Sequence, residues 1–282
     1  MAAIEALNIL HQPGRFTATV EGQPLTVDYQ VSGERIVFTH TGTAAALQGR
    51  GLAAQMVEHA LGWAAQQAKQ VLPACSYVEA YIRRHSRWQR LLAPAAAQQV
   101  LNFWLGALGS DDDGQVRAVW FKKNAAFDEE ISARFGALLN EALSTGLPGW
   151  QTTQYGRLAA IVLLDQFTRN SFRGTPRSFA GDALALPLAL ELLKATDLTP
   201  LERWFALMPL EHAEDLALQE RSVQEFEALA AVDDRIAGAL DFARRHLDVI
   251  QRFSRFPHRN AILGRESSAE ELAFLALPNS GF

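Results

Sequence analysis

Only one cysteine, Cys75, occurs in 282 residues. That scarcity excludes an internal disulfide framework and leads us to expect a reducing, cytoplasmic setting. Long uncharged apolar runs are missing as well. No continuous apolar run of the roughly 18 residues that a membrane span needs is present. The opening residues, MAAIEALNILHQPGR, have neither a basic start nor a cleavage site, so no secretory leader is expected. Positive charge is also in short supply. The net charge is -5, with a slight basic excess confined to the first 93 residues, which argues against general nucleic-acid binding.

What is present falls into two rhythms. FTATV (16–20), LTVDYQV (25–31) and RIVFTHT (35–41) alternate with period two and are expected as strands. From Leu52 the period changes to 3.6, with Met56, Val57, Ala60, Leu61 and Ala64 on one stripe of a helix. YVEAYI (77–82) is expected as a further strand that Cys75 precedes. Residues 1–92 thus form an α+β domain, and LLAPAAAQQ (91–99) is a plausible join. Over 93–282 helical patterns dominate, at 95–106, 124–145, 157–168, 181–195, 212–230, 234–253 and 268–276, giving an all-α domain of antiparallel helices. Within it, QFTRNSFRG (166–174) is echoed by RFPHRNAILGR (255–265).

The segment QGRGLA (48–53) lies between a strand and an amphipathic helix. Unpaired amides at such a helix start favour an anion, and Gly49 and Gly51 remove side chains that would obstruct a diphosphate. Arg50 adds a charge at the rim. An ordinary glycine-containing helix start is the plain alternative.

QGRGLA matches the Q/R-x-x-G-x-G/A acetyl-CoA loop of the GNAT superfamily of N-acetyltransferases. Residues 14–92 resemble a short branch of that superfamily through HT (40–41), QGRGLA, LPACSYV (72–78) and YIRRH (81–85). The resemblance implies a GNAT-like fold, acetyl-CoA as donor, and an amine, on a small molecule or a protein, as acceptor. It implies that Gln48, Gly49, Arg50, Gly51, Leu52 and Ala53 hold the diphosphate. Thr43 stands where the branch usually has Val, and its hydroxyl weakens the expected packing of pantetheine.

Acetyl transfer needs an uncharged amine, a donor to the developing oxyanion and a proton for the departing thiolate. Cys75 and His40 are the catalytic candidates. The thiol is a nucleophile only if its pKa is depressed, and otherwise packs inertly. His40, expected on the strand face of Ile36 and Phe38, is either a general base or a satisfied core histidine. Tyr77 and Glu79 are further candidates for proton transfer.

The helical half resembles, nearly end to end, a bacterial family catalogued as domain of unknown function 924. VLNFWLG (100–106), WFKKNAAFDEEI (120–131), LLDQFTRNSFRGT (163–175), MPLEHAEDLALQE (208–220) and RFSRFPHRNAILGR (252–265) carry the likeness. It implies a tetratricopeptide-like helical fold and no established activity.

Polar residues of three motifs are expected to meet in one pocket: Asp165, Arg169 and Asn170 at one helix end; Glu211 and His212 opening another after Pro209; and Arg255, His258, Arg259 and Asn260 around Pro257. An excess of guanidinium would bind a carboxylate or phosphate. Full pairing with carboxylates would make the cluster structural. No HExxH or comparable spacing occurs, so no metal is expected. Two other readings are a catalytically idle CoA-sensing module on an interaction scaffold, and a helical hydrolase of a phosphorylated small molecule.

Overall fold

The computed structural model describes residues 7–278, 280 and 281. Contacts divide the chain into two units, Met1–Asp113 and Gly114–Phe282. Among the described residues no helix is long and apolar enough to cross a membrane.

The first unit is built on a five-stranded sheet. β1 (Leu10–Gln12), β2 (Arg15–Val20), β3 (Gln23–Ser32) and β4 (Arg35–Thr43) form an antiparallel meander. After helix α1 (Leu52–Gln66), β5 (Gln70–Pro73) returns parallel to β4. Period-two alternation puts Phe16, Leu25, Val27, Ile36 and Phe38 into one core with Met56, Val57, Ala60, Leu61 and Ala64 of α1. The strands expected at 16–20, 25–31 and 35–41 lie within β2, β3 and β4.

Residues 77–82 are not a strand. They lie in α2 (Ser76–Arg84), whose buried positions Val78, Tyr81 and Ile82 have i, i+3, i+4 spacing. The strand lies earlier, at Gln70–Pro73, and Cys75 is the residue that caps α2. A six-residue window with a single interior glutamate fits either period, which is why alternation misled.

Helix α3 (Ala95–Leu105) groups by contacts with the first unit. The buried Gln98 side chain donates to the carbonyls of Lys69, Leu91 and Ala93 at 3.0, 3.0 and 2.8 Å. Buried Arg90 donates to Asn102 Oδ1 and to the carbonyl of Gly106 at 2.8 and 2.9 Å.

The second unit is helical: α4 (Ala125–Thr145), α5 (Gln154–Ile161), a π-helical turn (Val162–Phe167), α6 (Thr168–Ser171), α7 (Asp182–Leu192), α8 (Pro200–Glu211), α9 (Leu216–Ala230), α10 (Ala237–Phe253), α11 (Asn260–Leu263) and α12 (Ala269–Leu275). Helix α7 packs on α5 and α8, α8 on α9, and α9 on α10. Sequence reasoning missed α8 because Pro209 looked like a breaker, whereas it sits inside the last turn. The available signal was Thr199-Pro200 with Glu202, a complete capping box with proline at the first helical position. Glu211 and His212 therefore end α8 rather than open a helix, and Asp215 caps α9.

Replacing Gln98 by Leu orphans buried carbonyls at the seam between β5 and α3. We expect a loss of about 2–4 kcal/mol, read as a lower urea midpoint for unfolding of the first unit.

Candidate functional site

A bulge in β4 determines which side chains face the loop region. Asp28 pairs with His40 and Tyr29 with Phe38, so Thr39 is the extra residue, its hydroxyl donating to the carbonyl of Asp28 at 3.3 Å. Past a bulge the alternation shifts by one. His40 consequently leaves the buried face of Ile36 and Phe38 and is exposed, beside Gly42 and Thr26. Thr41 takes the place expected for His40, and its hydroxyl lies 3.4 Å from Cys75 Sγ.

Strands β4 and β5 pair only from Arg35 to Phe38, with the Cys75 amide closing the ladder on the carbonyl of Phe38 at 2.8 Å. Beyond that point no strand among the described residues pairs with this edge of β4, where the Thr41 amide turns to Cys75 instead. Cys75 is half-buried where the ladder ends. Burial pushes its thiol pKa up, but the Thr41 hydroxyl and the amides of Val78, Tyr77 and Thr41 outweigh it and hold the thiol below its ordinary value. Tyr77 and Glu79 are exposed on α2.

Residues 48–51 follow a single 3₁₀ turn (Ala45–Leu47) and lead into α1. Gly49 and Gly51 adopt φ of +77° and +76°, and a Cβ on either would meet no protein atom within 4 Å. Glycine is thus required by the backbone, and the space in front of it is empty. The first helical bond runs from the Gln55 amide to the Gly51 carbonyl at 3.3 Å, and no side chain caps α1. The amides of Leu52, Ala53 and Ala54 therefore lack an intrahelical acceptor. Gln48 is exposed, Leu52 turns into the core and Ala53 is half-buried. Arg50 is exposed and pairs with Glu21 at 2.9 Å.

In the helical unit, four of the expected residues converge: Asp165, Arg169, His212 and Arg259. Asp165 is fully buried in the π-helical turn, a local form often found at functional sites. It accepts from His212 Nδ1 at 2.7 Å and from Gln166 at 2.5 Å, and lies 3.2 Å from Arg169. Burial raises its pKa, but Arg169 and His212 more than offset this and hold it below the ordinary range. Arg169 also binds Asp182 bidentately at 2.8 and 3.0 Å, and Arg259 approaches the same carboxylate at 3.6 Å. The two Arg-Asn echoes thus place their arginines on one aspartate. Sequence reasoning had not singled out Asp182, whose only signal was its position at a helix start.

Glu211 is a buried neighbour of this group. Its carboxyl lies 3.0 Å from His246 Nδ1, and burial, with the negative charge of Asp165, pushes its pKa up to about 8. His246, itself buried, was not anticipated. Burial lowers the pKa of His212 and His246, and that of His258 to about 4.

His258 lies within electrostatic reach of Arg259, His212 and Arg169, whereas Arg255, Asn260 and Asn170 are engaged elsewhere. Arg255 binds Glu271 bidentately at 2.6 and 2.7 Å and the Glu266 carbonyl at 2.9 Å, pinning α12. Asn260 joins Arg265 and Ser267, and Arg265 in turn binds Glu214 bidentately. Asn170 donates to Asp128, which also receives Arg173. Among the described residues no group of histidine, cysteine and carboxylate side chains has the arrangement of a metal site.

Glu211 gives the helical unit a pH dependence of definite sign. Its pKa is higher folded, about 8, than the ordinary 4.5. The stabilisation from its proton is full below 4.5 and is lost as pH rises through 8. Glu211→Gln keeps the neutral form at every pH. We expect its unfolding free energy from urea titration to exceed that of the wild type at pH 8, by a few kcal/mol at most, roughly, and the gap to close towards pH 5. A pH-independent difference would contradict the assignment.

Residues 15–91 match the family model described as GCN5-related N-acetyl-transferase. Among solved structures, a protein of unknown function from Agrobacterium tumefaciens is 37% identical, over 64% of this chain and 97% of that one, with a TM-score of 0.56. No curated protein matches. Residues 100–279 match the model of a bacterial protein of unknown function, DUF924, beginning within α3. The chain therefore carries an N-terminal GNAT-like domain ahead of a helical one, and it belongs to the DUF924 family.

Proposed function

We propose that the first unit is an acetyl-CoA-dependent N-acetyltransferase, transferring an acetyl group to an amine, and that residues 48–53 hold the diphosphate of the donor. The observation that carries this reading is the empty space before Gly49 and Gly51, faced by the uncapped start of α1. Amides without an acceptor and a helix dipole at that point favour an anion. Leu52 anchors the helix start in the core, while Gln48 and Arg50 remain at the rim.

The edge of β4 beyond Phe38, with no strand paired to it among the described residues, supplies backbone groups for a partner that bears amides, as the pantetheine arm does. That arm would bring the thioester towards Cys75 and Thr41. Attack by the neutral amine on the thioester carbon forms the C–N bond and breaks the C–S bond. The amine proton leaves to a base and the CoA sulfur gains a proton. His40, on the opposite strand face from Thr41, is assigned no part in these transfers. The lowered thiol pKa of Cys75 suits either a lining group or a nucleophile.

We also infer a tetratricopeptide-like stack for the helical unit, supported by the packing of α7, α8, α9 and α10 each on the next. The setting proposed for the protein is cytoplasmic.

Gly51→Val forces a branched residue into φ near +76° and puts its methyls into the open space. Calorimetry with acetyl-CoA should show binding abolished while the circular dichroism of the helical unit is retained. Unchanged affinity would remove the acetyltransferase reading. Binding without turnover across an amine panel would favour the idle CoA-sensing alternative.

Alkylation of Cys75 by iodoacetamide should slow several-fold when CoA is bound. Absence of protection would make it a packing residue, and full turnover by Cys75→Ala would exclude covalent catalysis.

A further inference from the structure

Among the arginines of the helical motifs, Arg259 is held differently from the rest. Arg173, Arg265, Arg255 and Arg169 each bind a carboxylate bidentately, through Asp128, Glu214, Glu271 and Asp182. Arg259 does not. Its side chain keeps only 7% exposure, yet none of its side-chain nitrogens forms a hydrogen bond among the described residues. Nε is sealed from solvent without a partner. The carboxylate oxygen of Asp182, at 3.6 Å, is beyond hydrogen-bond reach and already engaged by Arg169.

Two aromatic rings explain how the group is held. The guanidinium carbon lies 4.7 Å from the Phe179 ring centroid and 4.4 Å from that of Phe256. Contacts with ring faces stabilise the cation, but guanidinium N–H bonds radiate in its own plane, so the rings satisfy none of them. A buried ion left in that state costs several kcal/mol, roughly. A planar fork of donors is the usual complement of a carboxylate or phosphate.

The surrounding charges limit what can enter. Arg169 and Arg259 are balanced by Asp165 and Asp182, while Glu211 retains its proton near neutrality. With these charges already matched, an entering group with a single negative charge disturbs the balance least. Beside the cations stands an oriented, neutral imidazole. Asp165 can only accept, so His212 Nδ1 carries the proton and Nε2 is the acceptor. Nε2 forms no hydrogen bond among the described residues, and the His212 side chain retains 11% exposure.

The geometry points to a binding site in the helical unit for a small molecule bearing a singly charged carboxylate or phosphate group. The group sits on the Arg259 fork beside Arg169, and His212 Nε2 accepts a hydrogen bond from a neighbouring hydroxyl or amine of the same molecule. The depressed pKa of Arg259, about 10, arises from burial and then from the Arg169 charge, against the opposing pull of Asp182, Glu214 and Asp165. This site stands independently of the acetyl-transfer reading, because none of its residues lies in the first unit.

The test is thermal unfolding of the full chain with inorganic phosphate or with acetate, each against sodium chloride of equal ionic strength. At least one anion should raise the midpoint of the helical unit. That rise should vanish in Arg259→Met and persist in Gly51→Val, and the anion with the larger effect identifies the charged group. Without added anion, Arg259→Met should be no less stable than the wild type. If Arg259→Met does not fold, Arg259→Lys serves instead. It keeps the charge but loses the fork, and should weaken binding at least about tenfold. No rise with either anion, a rise surviving in Arg259→Met, equal binding by Arg259→Lys, or a rise lost in Gly51→Val would overturn the proposal.

Discussion

A carboxylate with no exposure to solvent, Asp165, is the constraint around which the helical unit is arranged. Desolvating an unpaired carboxylate would cost several kcal/mol, roughly, so its surroundings have to supply donors. Gln166 comes from the same π-helical turn, Arg169 from α6 and His212 from the end of α8. Each donor fixes something else in turn. Arg169 reaches on to Asp182 at the start of α7. The end of α8 is held by Gln219 of α9, which donates to the carbonyls of Leu210, Glu211 and Ala213. Once Asp165 is ionised there, a second buried carboxylate nearby resists ionising, and Glu211 keeps its proton. The same electrostatics that join four segments also set the protonation states of the cluster.

In the first unit the corresponding constraint is backbone geometry rather than charge. One extra residue, Thr39, reverses the facing of every later side chain in β4. It turns Thr41 towards Cys75 and His40 towards solvent. The ladder between β4 and β5 ends just before the same point. A strand edge with no strand paired to it among the described residues, a thiol where the ladder ends and a glycine-bearing helix start thus follow one another along 39–53 and Cys75. The sheet and the α1 core hold these parts without contributing to their chemistry.

Much of this was legible in the sequence because it is local. Alternation located β2, β3 and β4, the 3.6 stripe located α1, and QGRGLA marked a helix start that residues 48–51 indeed precede. What escaped depends on register and long-range pairing. A bulge is invisible to alternation counting, so His40 was expected on the wrong face. YVEAYI was too short to separate two periods. Pro209 concealed α8 despite its capping box, which inverted the expected polarity of Glu211. Among the arginines the sequence motif cannot say which carboxylate each will find. Arg169 and Arg259 meet at Asp182, whereas Arg255, four positions from Arg259, turns away to Glu271.

Two separate ligand sites are proposed, with acetyl-CoA at the first. Hydrogen–deuterium exchange of the full chain, with and without acetyl-CoA, tests this most directly, because unpaired amides at a helix start exchange fast until an anion accepts from them. Protection should appear at residues 48–54 and around Cys75, with none at Asp165–Arg169 or Glu211–His212. Unprotected amides at 48–54 under saturating acetyl-CoA, or protection appearing in the helical unit instead, would contradict it.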